Sequence, residues 1–310
     1  MRELPAGRMD SLLPFKDVEL QDRAWIEERL KQSDFKSCDY SFANNFIWRK
    51  PNRIEWADVN GFYCLKSGAE GQISYTYPAG SGDIKPVILA LMEDAAERGM
   101  GFRLRGMNLE TVKLMQTLFP DQFDYSNHRD YCDYIYSVER LTTLRGKKLH
   151  SKRNHIARFK DNPDWAYEDI NAENINDCWD MNTEWCKIYK CYDDESLNHE
   201  ACAVKQAFKY FFDLGLRGGL LRLNGKVIAY TMGEPLSSDT YVMHIEKAFP
   251  EIQGAYPMIN QQFLIHNCQD FIYVNREEDL GDEGLRKAKS SYYPDFLLEK
   301  YEATLKNPQA

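Results

Sequence analysis

The spacing of hydrophobic residues along the chain changes several times between helical and strand-like patterns. Residues 17–32 and 40–49 carry apolar side chains at helical spacing, which predicts two helices. Residues 53–59 and 62–67 have the composition of strands. Asn60-Gly61 lies between them, and this pair favours a tight two-residue hairpin turn. The chain therefore begins with helices that lead into a hairpin.

The order of the remaining predicted elements repeats this beginning. The first half continues with a strand, a helix, a strand, a helix and a strand, at 72–77, 85–98, 102–107, 109–118 and 130–137. The second half is predicted to contain two helices, a hairpin, a strand, a helix, a strand, a short helix and a partly extended end, at 173–189, 195–214, 218–223 with 226–233, 240–248, 254–266, 271–275, 282–289 and 296–305.

The two hairpins make duplication the favoured interpretation. Asn224-Gly225 follows Asn60-Gly61 after 164 residues, although no residue-level repeat is visible. We expect an α/β (α+β) chain of two domains, 1–140 and 141–310, each a mixed sheet flanked by helices. This order is the one found in N-acetyltransferase-like folds, and the chemistry is expected in the second domain. Fold alone does not give activity.

Composition narrows the class of protein. Of the 310 residues, 43% are hydrophobic and 28% charged, as expected of packed globular domains. The net charge of −9 argues against binding nucleic acid through the overall field. No apolar run approaches the roughly 18–20 residues of a membrane-spanning helix, and no signal peptide is evident, so a cytoplasmic location is predicted. The eight cysteines form no C-x-x-C pair, so no zinc or redox site is expected. Magnesium at the charged residues 275–281 stays open, since their spacing is not diagnostic, and no metal is predicted.

One stretch departs from this acidic character. Residues 145–160 contain seven Lys or Arg, two His and no acidic residue. Lys148, Lys152 and His155 lie on adjacent faces if the stretch is helical, and Arg153 belongs to the same run. Such a surface suits phosphate groups. A solvated helix face is the alternative, and the sequence leaves both open.

The strand around residue 245 carries the clearest catalytic candidates. Alternation places His244, Glu246 and Ala248 on one face. Neighbouring His and Glu side chains are costly to bury unless they are used or paired. A carboxylate near the end of a strand is placed to bind an amine or accept its proton. The alternatives are an exposed face or a pair between Glu246 and an arginine.

Two charged segments follow this strand. Asn275–Gly281 comes directly after an apolar strand and offers candidate substrate contacts at Asn275, Arg276, Glu278 and Asp279. Arg286 and Lys289 share a face of the next predicted helix and are candidate phosphate ligands. Tyr293 in the same region is a further candidate substrate contact. A charged turn is the plainer interpretation of the first segment.

Several strings together resemble one family. They are 40–49 (YSFANNFIWR), 146–155 (GKKLHSKRNH), 244–248 (HIEKA) and 275–281 (NREEDLG). These four strings resemble a soluble branch of the phosphatidylglycerol lysyltransferase C-terminal domain family, and the resemblance covers nearly the whole chain. That resemblance implies the tandem acetyltransferase-like fold shared with Fem-type aminoacyltransferases. The family's strand-borne Asp corresponds to Glu246, and its Gly-Leu-Arg-x-x-Lys helix corresponds to 284–289, with Ala288 in place of the usual aromatic.

The resemblance implies aminoacyl transfer from an aminoacyl-tRNA. On this hypothesis residues 145–160 contact donor phosphates, Glu246 with His244 handles an amine, and Arg286 with Lys289 holds a phosphate or an oxyanion. No cofactor is expected, and tRNA is the expected partner. The membrane-spanning half of the synthases is not in the sequence, so the acceptor class (small molecule, peptide or lipid) stays open.

Two alternatives remain at this stage. The first is an acyl-CoA-dependent N-acetyltransferase. Against it, residues 250–256 have the wrong spacing for the pyrophosphate-binding loop, and Glu251 would repel a phosphate. The second alternative is a protein that binds tRNA or another partner without catalysis. The presence of both His244 and Glu246 argues against this alternative.

Overall fold

The computed structural model describes residues 12–69 and 71–306. Residues 1–11, in the N-terminal segment where no signal peptide is predicted, lie outside them. The α-helices of the described residues are α1 (Arg23–Ser33), α2 (Phe42–Trp48), α3 (Lys85–Glu97), α4 (Leu109–Leu118), α5 (Val138–Thr143), α6 (His150–Lys160), α7 (Ile175–Tyr189), α8 (Glu195–Lys209), α9 (Ala255–Asn267) and α10 (Glu283–Ser290).

The strands of the described residues form two sheets. They are β1 (Lys16–Asp17), β2 (Glu55–Val59), β3 (Phe62–Ser67), β4 (Ser74–Ala79), β5 (Arg103–Met107), β6 (Phe123–Asn127), β7 (Asp133–Ser137), β8 (Trp165–Asp169), β9 (Arg217–Leu223), β10 (Lys226–Pro235), β11 (Thr240–Ala248), β12 (Tyr273–Asn275), β13 (Phe296–Leu298) and β14 (Tyr301–Leu305).

The chain divides into two compact units. Of the described residues, the first unit takes 12–33, 52–69, 71–127 and 300–306, and the second takes 34–51 and 128–299. This division differs from the predicted boundary near residue 140. The difference arises because β7 pairs with β12 and β13, whereas β14 pairs with β5 and β6. Strand pairing therefore assigns segments to units that are distant in sequence.

The first unit is built on the sheet β1-β2-β3-β4-β5-β14-β6. Only β4 and β5 pair in parallel. The predicted hairpin at Asn60-Gly61 is confirmed, since both residues have positive φ (53° and 83°) and Val59 pairs with Phe62. In this turn Gly61 adopts a backbone conformation that other residues rarely adopt.

The first helix begins later than its hydrophobic spacing predicts. The spacing predicts a helix over residues 17–32, but α1 starts at Arg23. The carboxylate of Asp22 accepts hydrogen bonds from the backbone N–H of Glu19 at 3.1 Å and from the indole N–H of Trp56 at 3.0 Å. Lys16 pairs with Trp56 in the sheet. The residues before Arg23 are therefore held in an extended segment and a 3-10 turn.

The second unit is built on the sheet β13-β7-β12-β11-β10-β9-β8. Its core includes Tyr134, Tyr241, Phe263 and Val274, each fully buried. Removing such side chains from water contributes roughly 1.5–3 kcal/mol each to folding. The Asn224-Gly225 hairpin between β9 and β10 is confirmed, so both predicted hairpins are present.

The position of the candidate site follows from how β11 and β12 pair. They are parallel, and their pairing covers only Thr240–Val242 of β11 against Tyr273–Asn275 of β12. β11 continues six residues further, to Ala248. The last part of β11 therefore has no β12 partner beside it, and the chain after β12 occupies the space next to His244 and Glu246.

Candidate active site

Glu246 lies in the part of β11 that pairs with β10 but has no β12 partner, and it contacts two polar groups. One carboxylate oxygen accepts a hydrogen bond from Arg276 Nη2 at 2.7 Å, and the other accepts one from Asn260 Nδ2 at 2.9 Å. The side chains of Glu246 and Arg276 are 13% and 12% exposed. Glu246 therefore forms an ion pair with an arginine, which was one of the alternatives predicted from the sequence. The pair lies near the basic helix and keeps a small exposed fraction.

Lys152, on α6, approaches the same pair through a shared tyrosine. Its Nζ lies 3.9 Å from the ring centroid of Tyr292, and the guanidinium of Arg276 lies 4.9 Å from the same centroid. Burial and the charge of Arg276 lower the pKa of Lys152 to about 8, against the opposing effect of Glu246. A cation of the predicted basic run therefore lies beside the predicted catalytic glutamate.

A cavity of about 320 Å³ adjoins Lys152. It is lined by Lys152 and His155 of α6 and by residues 250–257, which lead into α9. Gly254 fixes the contact between these segments. Its φ is +85°, and a Cβ there would lie 2.3 Å from the carbonyl oxygen of His155. Only glycine permits this approach without displacing α6.

His244 is held between two carboxylates. Its Nδ1 lies 2.8 Å from Glu277 Oε1 and its Nε2 lies 3.2 Å from Glu234 Oε1. Burial acts to lower the pKa of His244, but the two carboxylates outweigh it and raise the pKa to about 9. Ser41 donates a hydrogen bond to the same oxygen of Glu234. The two carboxylates therefore favour the protonated imidazole, which links two strands and the loop after β12.

The loop after β12 directs four successive side chains to four different partners. Arg276 binds Glu246, Glu277 binds His244, and Glu278 accepts a hydrogen bond from the thiol of Cys38 at 3.1 Å. Asp279 is fully buried. Glu277 has φ of +58°, a conformation that costs energy for a residue with a side chain. The segment predicted as a substrate site is thus an organised loop beside β11.

Asp279 and Arg286 hold the far end of this loop. Nε and Nη2 of Arg286 lie 2.9 and 2.8 Å from the two oxygens of Asp279, and Nη2 also lies 2.6 Å from Asp130. The Arg286 guanidinium holds the pKa of Asp279 well below its usual range. The hydroxyl of Tyr134 donates to the same carboxylate at 2.6 Å. Two carboxylates thus already engage the predicted phosphate ligand Arg286.

Lys289 and Asn275 also support the loop. The ammonium of Lys289 donates to the carbonyl oxygen of Glu278, and burial lowers the pKa of Lys289. The buried side chain of Asn275 donates to Asp133 at 2.7 Å and to the carbonyl oxygen of Lys36 at 2.8 Å, and it accepts from the backbone N–H of Glu277 at 2.7 Å. Asn275 therefore fixes the start of the loop through backbone groups.

The other predicted phosphate ligands differ in their surroundings. Arg153 donates to the carbonyl oxygens of Leu144 and Gly146, so it closes the turn before α6. Lys148 and His155 are exposed. Nζ of Lys148 lies 5.2 Å from the ring centroid of Tyr293, another exposed side chain. Of these three residues, Lys148 and His155 are the ones presented to solvent.

Four residues that touch this site were not predicted from the sequence. Asn260, Tyr292, Glu234 and Glu277 all contact a predicted residue. Asn260 lies on α9, where a polar residue among apolar ones was a usable signal. Glu277 lies inside the predicted segment 275–281, between the predicted residues Arg276 and Glu278, and its charge alone did not distinguish it.

One group within residues 12–69 and 71–306 has the chemistry of metal ligands. Cys38, Asp133 and Glu278 place one ligand atom each within 4.8 Å of one another. Their contacts are accounted for by hydrogen bonds, since the Cys38 thiol donates toward both carboxylates and its backbone N–H donates to Asp133 at 2.9 Å. The prediction that the protein holds no metal stays a prediction.

Comparisons with solved structures define the fold. A conserved protein of unknown function from Bacteroides thetaiotaomicron is 42% identical, with a TM-score of 0.91 over 95% of this chain and 100% of that one. L-PGS from Bacillus licheniformis is 14% identical, with a TM-score of 0.64 over 95% and 94%. FemX is 10% identical, with a TM-score of 0.57 over 95% and 98%. The predicted fold class is confirmed, with two tandem acetyltransferase-like units that each have a mixed sheet and flanking helices.

The family comparison supports an acyltransferase at the level of class. The profile of the family described as "Phosphatidylglycerol lysyltransferase, C-terminal" matches residues 30–304. The chain therefore belongs to the phosphatidylglycerol lysyltransferase C-terminal family, as its motifs predicted. An uncharacterised protein from Mycoplasmoides gallisepticum is 24% identical over 204 residues, which are 64% of this chain and 62% of that protein. The chain thus spans less than two thirds of this relative.

Across the described residues, every helix is too short or too polar to cross a membrane.

Proposed function

We propose that the protein is an aminoacyltransferase that moves an amino acid from an aminoacyl-tRNA to an amine or hydroxyl acceptor. The family supports transfer of an acyl group. The observation that supports the proposal is the ion pair of Glu246 with Arg276, whose charges both act on Lys152 of α6, while Lys152 itself lines the cavity. These are the groups that binding an amine and a phosphorylated carrier requires.

The donor side is assigned to the exposed cations around α6. Lys148 and His155 are exposed, and residues 145–160 contain no acidic side chain. Phosphates of a tRNA acceptor stem would bind there through charge, independently of sequence. Arg153 closes a backbone turn, and Arg286 with Lys289 supports the loop after β12. These three residues therefore shape the site, and their predicted contacts with the donor remain predictions.

The acceptor side is assigned to Glu246. Both of its carboxylate oxygens accept hydrogen bonds, from Arg276 and Asn260. A carboxylate held in this way binds and orients an amine. Aminoacyl esters are already reactive, so holding the ester and the acceptor together supplies much of the acceleration. His244 contributes by holding Glu277 and therefore the loop.

A transfer assay tests this proposal. The protein is incubated with tRNA charged with radiolabelled amino acids and with fractionated peptide, lipid and small-molecule acceptors, and the label is followed into the acceptor. Transfer that depends on Glu246 supports the proposal. No transfer from any charged tRNA, together with salt-insensitive or absent tRNA binding, would contradict it.

One observation favours an acyl-CoA donor as the second candidate. The 320 Å³ cavity lies where residues 250–257 lead into α9, the position at which acyl-CoA-dependent relatives bind pyrophosphate. Glu251 lines the same cavity and opposes a phosphate. Calorimetry with acetyl-CoA separates the two donors, since tight binding would favour N-acetyltransfer. A third possibility is a protein that binds tRNA without catalysis. In that case tRNA would bind, and Glu246→Gln would change only the stability of the protein.

A further inference from the structure

Lys152 differs from the other cations of residues 145–160 in its surroundings. Within the described part of the chain, no hydrogen-bond acceptor or carboxylate pairs with its ammonium, whereas Arg153 binds two carbonyl oxygens. Its Nζ lies over the ring of Tyr292, which is 5% exposed, and its side chain lines the cavity. A half-buried amine without an ion pair, in the wall of a cavity, is costly unless it has a use.

The charged groups around Lys152 come from several elements. Arg276 comes from the loop after β12 and Glu246 from β11, and their charges oppose each other at Lys152. Tyr292 follows α10, and its hydroxyl stays protonated because burial raises its pKa. The groups on the cavity side are His155, Glu251 and Tyr256. The balance of these groups does not fix Lys152 in its charged form.

Both carboxylate oxygens of Glu246 are already engaged by other side chains. Arg276 Nη2 and Asn260 Nδ2 occupy its two oxygens at 2.7 and 2.9 Å. Protonating the carboxylate would leave a largely buried guanidinium without its counter-charge, which is unfavourable. The proton of the nucleophile therefore needs another acceptor near Glu246.

We propose that Lys152 is a further catalytic residue, the amine that accepts the proton of the attacking nucleophile and returns it to the leaving group. This inference rests on the proposed function. It divides the work at the site, with Glu246 orienting the nucleophile and Lys152 handling its proton. It also separates Lys152 from the exposed residues Lys148 and His155, to which the proposed function assigns the donor contacts.

The step balances in protons and bonds. The acceptor's amine or hydroxyl attacks the ester carbonyl carbon, and the neutral Lys152 amine takes the proton that the nucleophile loses. The tetrahedral intermediate then expels the ribose oxygen of the tRNA as the carbon–oxygen bond breaks. The Lys152 ammonium gives its proton to that oxygen and becomes a neutral amine again. Because the pKa of Lys152 is about 8, a useful fraction of the amine is neutral near neutral pH.

Lys152→Arg tests the role directly, because arginine keeps the positive charge but cannot act as a base. General-base catalysis contributes roughly 10²–10⁴-fold, so kcat should fall by about 100-fold or more while KM for the donor changes less than about threefold. In the wild type, kcat should rise with pH to a plateau above about pH 8, and this rise should be lost in the variant. Lys205→Arg, on the exposed face of α8, is the control for the same chemical change.

Two results would overturn the inference. If Lys152→Arg keeps its kcat, or raises only KM for the donor, Lys152 is a charge contact and the inference is wrong. Lys152→Gln, with thermal unfolding of both variants, separates a catalytic loss from misfolding. A folded Lys152→Gln protein with wild-type kcat would also overturn the inference.

A second measurement does not depend on transfer. In protein whose lysines are reductively methylated with a ¹³C label, one resonance should titrate near pH 8 and be missing from Lys152→Arg. Absence of such a resonance overturns the inference even if transfer is observed. The resonance of Lys152 could titrate near pH 8 in a protein that transfers neither an amino acid from charged tRNA nor an acetyl group from acetyl-CoA. That combination would refute the proposed function, and with it the use of Lys152 in transfer.

Discussion

Glu246 of β11 and Arg276 of the loop after β12 meet at 2.7 Å just beyond the point where the pairing of the two strands ends. The pair is largely buried, so each charge depends on the other for its stability. The rings of Tyr136 and Tyr292 lie 5.8 and 4.9 Å from the guanidinium carbon. The contact thus joins the strand that carries the candidate catalytic carboxylate to the loop that closes its open side.

Removing the charge of Glu246 should affect both transfer and stability. Glu246→Gln leaves Arg276 without its counter-charge, and breaking a buried pair costs about 3–5 kcal/mol. We expect aminoacyl transfer to fall by about 100-fold and the free energy of unfolding to drop in urea titrations. Glu246→Gln with Arg276→Gln should recover part of the stability without recovering transfer.

Glu200→Gln is the matched control for this change. Glu200 pairs with Lys247, next to Glu246 on β11, and its side chain is 36% exposed. The side chain of Lys247 is 8% exposed, so Glu200→Gln also removes the partner of a largely buried charge on β11. Wild-type transfer in Glu246→Gln, or an equal loss in Glu200→Gln, would contradict the assignment of Glu246.

The imidazolium of His244 should make stability depend on pH in the alkaline range. Its pKa in the folded protein is about 9, above its value of about 6.5 in the unfolded chain. Because the folded state binds the proton more tightly, this contribution is fully present below about pH 6.5 and is lost as pH rises through about 9. It amounts to roughly 3 kcal/mol of unfolding free energy.

Urea unfolding between pH 6 and pH 10 measures this effect. His244→Gln should flatten the alkaline loss, whereas His199→Gln, at an exposed position of α8, should leave the curve unchanged. An alkaline loss of the same size in His244→Gln would show that His244 is not its source.

Donor binding should depend on the exposed cations before α6. The double variant Lys147→Glu with Lys148→Glu should weaken tRNA binding. It should also make the slope of the logarithm of the binding constant against the logarithm of the salt concentration shallower, by about one for each phosphate that is no longer bound. Filter binding at several salt concentrations measures both effects. Lys113→Glu with Lys205→Glu makes the same change of charge at exposed positions on α4 and α8 and should weaken binding less. Equal reductions of affinity in the two double variants would indicate a non-specific charge effect.

The approach of α6 to the start of α9 should depend on Gly254. Gly254→Ala places a Cβ 2.3 Å from the carbonyl oxygen of His155 and should displace α6 from the cavity. We expect a loss of stability of about 2 kcal/mol or more and reduced transfer. Gly225 has a similar φ, +78°, and a Cβ there would have no atom within 4 Å. Gly225→Ala therefore measures the loss of stability that comes from the backbone conformation alone. Equal effects at both positions would show that the approach to His155 contributes nothing.

Local patterns predicted much of the fold because they depend on few residues. Both Asn-Gly hairpins were predicted, since the turn itself requires those residues. α3 and α4 were predicted to within a residue or two. β6 was missed, because its residues Phe123–Asn127 are polar at most positions and are stabilised by pairing with β14, which is distant in sequence.

The candidate site shows a similar division. His244 and Glu246 were predicted because strand alternation places them on one face. A pair between Glu246 and an arginine was one of the predicted alternatives, but the sequence did not indicate that Arg276 and Glu277 are the partners, since they reach the strand only because β12 runs parallel to β11 and ends early. Lys152 was predicted as one cation among several, and its contact with Tyr292 and its place in the cavity wall, which distinguish it from its neighbours, depend on the tertiary fold.

The place of β14 has a consequence for synthesis of the chain on the ribosome. This strand, Tyr301–Leu305, lies between β5 and β6, both of which are translated long before it. Until it emerges, β5 and β6 have no strand to join them, and their unpaired edges are exposed to other chains. The second unit can pair its strands before then, so the unit that begins first along the chain is completed last.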